Sequence, residues 1–353
     1  MRTTLAIGIS LAVAAAGVFA FSPRHSAPLA PTRIPVDNMN ITSLHSGSAG
    51  IIAAGELGHI LISKDQGKSW QAASIDNQRN ALITRVRFSD NDHGLAIGHE
   101  GWILKTQDGG ESWNEISFGE FGSTPLLSLE KQADGDWLTS GAFGYYRKSS
   151  DSGSSWQDLP PPQGLDWHLN SMIPGKDGQT WLLAGEAGTL LRSDDSGDNW
   201  QTVDPFYDGS FYGGLHLGGE RWLVYGMRGN IFRSDDNGHN WQRLNFNIPV
   251  SLFTHEVMPD GELLLGGQGG FVISTRNQGD SFNIIRRGGR LAITDIHPLG
   301  LDELLLASDK GLLTHGLTSN SSQNSSKQNT TMDTHKNTQD AIKPTAKAEK
   351  AGV

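Results

Sequence analysis

Six copies of one short pattern, Ser/Thr-x-Asp-x-Gly-x-x-Trp, recur along this chain at nearly constant spacing, and a chain that repeats on such a period has few folds open to it. The copies are SKDQGKSW (63–70), TQDGGESW (106–113), SSDSGSSW (149–156), SDDSGDNW (193–200), SDDNGHNW (234–241) and TRNQGDSF (275–282), the last with Asn277 for Asp and Phe282 for Trp. Their closing aromatic residues lie 41 to 44 residues apart. A Gly-x-x-Gly precedes each of them, at Gly55/Gly58, Gly98/Gly101, Gly141/Gly144, Gly185/Gly188, Gly226/Gly229 and Gly267/Gly270. A seventh unit, Ser308-Asp309-Lys310-Gly311, follows the sixth and has no box behind it.

One unit shows four short runs rich in β-branched and aromatic residues, separated by Gly/Asp turns: between 169 and 204 they are LNSMIPG, TWLLAGE, TLLRSD and WQTVD. Four strands on a period near 40 predict propeller blades, so the fold class is all-β, a seven-bladed β-propeller. The Gly-x-x-Gly is the hairpin between strands two and three, and the box that between strands three and four, where Asp accepts backbone N–H bonds and Gly takes the left-handed position. This makes Asp65, Asp108, Asp151, Asp195 and Asp236 structural. Equivalent turns on successive blades stand too far apart around a rim to converge on one substrate. Trp70, Trp113, Trp156, Trp200 and Trp241 are core by the same argument. The seventh unit has only three strands, LAITDIHP, ELLLAS and GLLTHGL. An open edge invites pairing with other chains, so residues 32–38 are expected to supply the missing outer strand and close the ring.

The two ends differ from the repeat. Residues 1–21 read as an export signal: Arg2, an uncharged run from Leu5 to Phe21, and small residues at Val18 and Ala20 before a cut. An uncleaved anchor is the alternative, since the run is only slightly short of a bilayer span. Residues 22–31 are a linker, 32–317 the propeller, and 318–353 a polar tail with too little apolar content to fold, expected to be disordered. The chain has no cysteine, which removes disulfides, thiolate metal sites and Cys nucleophiles. Its formal charge of −10 argues against a nucleic-acid partner.

Box spacing of 41–44 paired with an upstream Gly-x-x-Gly in six of seven consecutive repeats, with phrases such as LAIGHEGWILKTQDGGESW (95–113) and WLLAGEAGTLLRSDDSGDNW (181–200), resembles the photosystem II assembly and stability factor family. The resemblance covers roughly residues 40–317. It implies an exported, non-catalytic scaffold that binds a membrane protein or membrane-protein complex, in a periplasm or, in a photosynthetic host, the thylakoid lumen. The chain departs from that family in its sixth box, in the absence of the lipoprotein Cys some members carry, and in its tail. No cofactor or metal is expected, and a monomer is. Sialidases also carry such boxes and an early Arg-Ile-Pro, matched by Arg33-Ile34-Pro35. They need in addition three arginines and a Glu-activated Tyr, and none of the five tyrosines stands in such a context. A sialidase-like glycosidase and a ligand-binding receptor are the alternative functions.

By register, the innermost strands contain His45, Arg85, Arg87, Glu130, His168, His216, His255 and His297. They are read as polar residues filling a wet central channel, and also as candidates for partner, anion or metal contact. Arg85 and Arg87 share one side of a strand. The candidate partner-binding set is Arg85, Arg87, His168, His216, His255 and His297, with Arg286, Arg287 and Arg290 as a second basic group on another blade.

Overall fold

The computed structural model describes residues 38–119 and 123–317, together with residues 7, 8, 16, 17 and 36. The expected signal, the linker and the tail therefore lie outside the described residues, apart from those isolated positions. Seven antiparallel sheets follow one another along the chain. Their first strands are Ile41–Gly47, Ile83–Phe88, Leu126–Lys131, Leu169–Pro174, Phe211–Gly218, Leu252–Val257 and Ile293–Pro298. These seven surround a central channel, and each sheet runs outward from it as a meander, so the blades are numbered 1 to 7 in chain order.

A distinct buried cluster fills each gap between neighbouring blades. Ile52, Ile83, Trp102 and Trp113 join blades 1 and 2. Similar groups follow around the ring, to Ile41, Leu44, Leu61, Leu305 and Ala307 between blades 1 and 7. The ring is therefore closed by packing of the last blade on the first. Side chains of the inner strands reinforce it: Thr294 Oγ1 donates to the Ile41 carbonyl (2.5 Å), and the Leu44 N–H donates to Asp295 Oδ2 (2.8 Å).

Each box folds as its composition predicts. In blade 2, Asp108 Oδ1 accepts from the Ser112 N–H (2.9 Å) and from Thr106 Oγ1 (2.8 Å), and Trp113 Nε1 donates to the Gly110 carbonyl (3.0 Å). Gly110 has φ +99°, and a Cβ there would stand 2.7 Å from Ile52 Cδ1 of blade 1. The glycine thus serves both the turn and the seating of one blade on the next. Asp65, Asp151, Asp195 and Asp236 accept the equivalent N–H bonds from Ser69, Ser155, Asn199 and Asn240. Hydrogen bonds, first from the Ser69 and Ser155 side chains, hold the Asp65 and Asp151 carboxyls down at about 2. In the sixth box Asn277 keeps the turn, accepting from the Ser281 N–H (3.0 Å).

Two blades depart from four strands. Blade 2 has a fifth, because Ser74–Ile75, in the chain leaving blade 1, pairs in parallel with Ser112 and Trp113. Blade 7 has the three strands expected, ending on Gly311–Gly316. The closing strand expected from residues 32–38 lies, apart from Val36 and Asn38, outside the described residues. One contact of the kind it would make is present: the Leu312 N–H donates to the Val36 carbonyl (2.9 Å), and Val36 packs into the cluster between blades 7 and 1.

Candidate functional site

The meander puts the loops on two faces. Box turns lie on one face with the turns that follow the inner strands; Gly-x-x-Gly turns lie on the other with the connections between blades. The inner strands start at the Gly-x-x-Gly face, and each carries a bulge after its first residue, except that blade 5 has a second one further on. Counting past the bulge gives two layers of residues around the channel.

The first layer is Ser43, Arg85, Ser128, Ser171, Gly213, Thr254 and Asp295. Its short members link the blades: Ser43 Oγ accepts from the Val86 N–H (3.1 Å), Ser128 Oγ from the Met172 N–H (3.0 Å), and Asp295 Oδ1 from Thr254 Oγ1 (3.0 Å). Arg85 breaks the pattern by placing a long cation where other blades place a short side chain or none. No hydrogen bond or ion pair engages it among the described residues. Gly213 breaks it in the other direction. A Cβ there would run into the Tyr225 hydroxyl, which has come through from the second strand of the blade and lies 2.8 Å from His255 Nδ1.

The second layer, nearer the box face, holds His45, Arg87, Glu130, Ile173, Leu215, Glu256 and His297. Arg87 Nε reaches Glu130 Oε1 at 3.3 Å across the blade 2–3 gap. The second layer, with Arg85, Ser171, Thr254 and Asp295 of the first, lines a cavity of about 660 Å³, in the size range of small-molecule sites.

Burial and charge set the protonation of this cavity. Burial opposes the charge on both arginines. It lowers Arg85, with Arg87 adding to the effect, whereas Glu130 and Asp295 more than offset it at Arg87, which is raised. Both remain cations, since a guanidinium keeps its proton in proteins. Burial followed by the neighbouring charge of Arg87 brings His45 and His255 down to about 4, and burial also lowers His297. These imidazoles are neutral at pH 7. Burial, then Asp295, pushes Glu256 up to about 7. Burial raises Tyr225 as well, so its hydroxyl keeps its proton.

The structure brings Arg85, Arg87, His255 and His297 into one cavity, with His45 and Glu130, and puts His216 at its box-face end, where Nδ1 accepts from the Lys176 N–H (2.8 Å). His168 is a correction: it precedes its strand by one residue and stands on the Gly-x-x-Gly face, in edge contact with Phe143 and 3.4 Å from Glu186. Arg286, Arg287 and Arg290 lie apart, at the outer end of blade 6. Arg286 Nη1 donates to the Gly270 carbonyl (2.6 Å), and Arg287 and Arg290 are exposed. No group of three or more ligating side chains that could hold a metal occurs among the described residues. In the cavity, Tyr225 feels the charges of Arg85 and Arg87, but its hydrogen-bond partner is an imidazole, and a raised hydroxyl is the reverse of an activated nucleophile. Arg33-Ile34-Pro35 lies outside the described residues.

Sequence reasoning did not single out Tyr225, Glu256, Asp295 or Gly213. It also passed over three exposed apolar side chains on the Gly-x-x-Gly face, Leu57 (51% exposed), Phe143 (68%) and Trp167 (47%). Leu57 and Phe143 sit inside Gly-x-x-Gly turns with φ of +54° and +56°, a conformation that non-glycine residues adopt at a cost.

Residues 74–203, which span blades 2 to 4, match the family described as photosynthesis system II assembly factor YCF48, as the repeat phrases led us to expect. Among solved structures, the chain is similar to YCF48 bound to D1 peptide, at TM-score 0.64 and 17% identity over 85% of this chain and all of that one. It is likewise similar to YCF48 from Cyanidioschyzon merolae, at TM-score 0.63 and 13% identity over 80% and 96% of the two chains. An ancestral GH74 enzyme matches at TM-score 0.62 and 15% identity, over 81% of this chain and 46% of that one. At these identities the structural matches establish the seven-bladed fold. No curated protein matches the chain.

Proposed function

We propose that this chain is an exported, monomeric, non-catalytic assembly factor similar to YCF48, and that it binds a segment of a membrane protein of the photosystem II D1 kind. The observation that carries the reading is the Gly-x-x-Gly face. Phe143 is held out to solvent on a left-handed backbone, in edge contact with His168 and beside Trp167, whose carbonyl accepts from the Gly144 N–H (2.8 Å). Exposed aromatic side chains on a rigid frame are suited to docking, because little entropy is lost when they are covered. The family match over blades 2 to 4 includes this patch. Burial keeps Tyr225 protonated and His255 neutral, which supports binding over glycoside cleavage.

The test is a calorimetric titration of the mature chain with a synthetic D1 peptide. Saturable binding, weakened at least about tenfold in Phe143→Asp and Trp167→Asp, is the expected result. Absence of binding, or binding indifferent to both changes, would overturn the reading.

A further inference from the structure

The channel poses a problem of charge that the docking face does not solve. Among the described residues, Arg87 is paired with Glu130, while Asp295 accepts from Leu44, Thr254 and Ile296. The imidazoles of His45, His255 and His297 are neutral, and Glu256 is easily protonated. Arg85 is left as a cation with no direct partner, in a layer whose other members are short side chains or none and in which Ser43, Ser128, Thr254 and Asp295 link blades. Arg85 is half-buried, and Asp295 and Glu130 act on it only at a distance, without a direct contact. A partly desolvated guanidinium with no bonded carboxylate has little to offset that desolvation, and nothing in the ring requires a cation there, since serine and threonine serve that layer elsewhere.

We infer that the central channel binds a small carboxylate-bearing ligand, anchored on Arg85. The guanidinium offers a planar fork of donors that suits a carboxylate's two oxygens. Tyr225, held by His255, presents a second polar group on the opposite blade. Beyond these, Ile173, Leu215 and Phe253 supply apolar wall for the body of the ligand, and about 660 Å³ accommodates one larger than acetate. A cationic ligand is disfavoured because the carboxylates present are already engaged or readily neutralised. This inference goes beyond the docking reading, does not depend on it, and concerns different residues.

Two probes separate the possible carriers of the carboxylate: benzoate for a free acid, and the blocked peptide acetyl-Gly-Glu-Gly-amide for a partner's side chain. Each is titrated into the mature full-length chain by calorimetry, with thermal unfolding as a second readout. The expected result is saturable binding of at least one probe and a raised Tm. Arg85→Met weakens it about tenfold to a hundredfold, and Arg85→Lys, which keeps the charge but not the fork, gives an intermediate loss. Arg85→Met strands no partner, so the unliganded variant should fold at least as stably as the parent. If it fails to fold, the Arg85→Lys comparison stands alone. No saturable binding of either probe, equal binding by all variants, or equal stabilisation by inorganic phosphate would overturn the inference.

Discussion

The hydroxyl of Tyr225 lies 2.8 Å from His255 Nδ1, and it reaches that position because Gly213, its cross-strand partner, has no side chain to occupy the space. The neighbouring blades 5 and 6 are thereby tied by a neutral hydrogen bond. Tyr225→Phe removes it and leaves the imidazole nitrogen unpaired. A loss of about 1–2 kcal/mol is expected from urea unfolding, and an unchanged midpoint would show that the pair contributes nothing.

Arg87 and Glu130 make the corresponding charged link between blades 2 and 3. Arg87→Met leaves Glu130 facing the cavity without its cation, for an expected loss of about 2–4 kcal/mol. Arg87→Met with Glu130→Gln should recover part of that loss, and the double-mutant cycle gives the coupling.

Glu256 gives the channel a pH signature. Its carboxyl is raised in the folded chain to about 7 from an ordinary value near 4.5. The folded state therefore holds the proton more tightly, so this stabilising effect is complete below about pH 4.5 and is lost as pH rises through 7. Glu256→Gln removes the loss. The variant should gain on the parent in Tm between pH 5 and pH 8, with a limit of about 1–3 kcal/mol. His45 and His255, lowered to about 4, act in the opposite sense. Their contribution is present above pH 6.5 and is lost as pH falls toward 4. A parallel pair of Tm profiles would refute the assignment to Glu256.

Five boxes are closed by the same bond, from a backbone N–H to the box aspartate. Asp108→Ala should lower stability by about 1–2 kcal/mol. The sixth box can be improved. Phe282 has no ring N–H to give the Gly279 carbonyl, as Trp113 gives that of Gly110. Asn277→Asp with Phe282→Trp should raise the thermal midpoint, and a fall would mean that the neighbouring cluster cannot admit the indole.

Ring closure by the N-terminal segment can be tested by truncation. A chain beginning at Asn38 loses Val36 and its bond to Leu312, and should unfold at a lower temperature than one beginning at Thr32. Equal midpoints would assign the cover of that edge to something else.

The blades were legible because turn chemistry is local: an aspartate, a glycine and a tryptophan at fixed offsets dictate the hairpin wherever they occur. The channel was only half legible. Arg85 and Arg87 could be placed by alternation, but the bulge after the first residue of each inner strand shifts which residues face inward. Simple alternation does not predict that the adjacent His255 and Glu256 both line the cavity. Tyr225 escaped notice because its position depends on what Gly213 lacks, a relation between two strands. Phe143 and Trp167 belong to loops, where no periodicity reports exposure.

The bonds that join blade 1 to blade 7 connect residues 251 to 253 positions apart in sequence, Leu44 with Asp295 and Ile41 with Thr294. A chain that emerges from the ribosome or an export channel with its N-terminus first must present one flank of its first blade, with Ile41, Leu44 and Leu61 uncovered, until nearly all of the repeat has followed. Intermediate blades can settle pairwise on the way, but that flank has no native cover. The interval is the period in which the nascent protein is most exposed to mispairing, and it lengthens with every residue placed between the two ends.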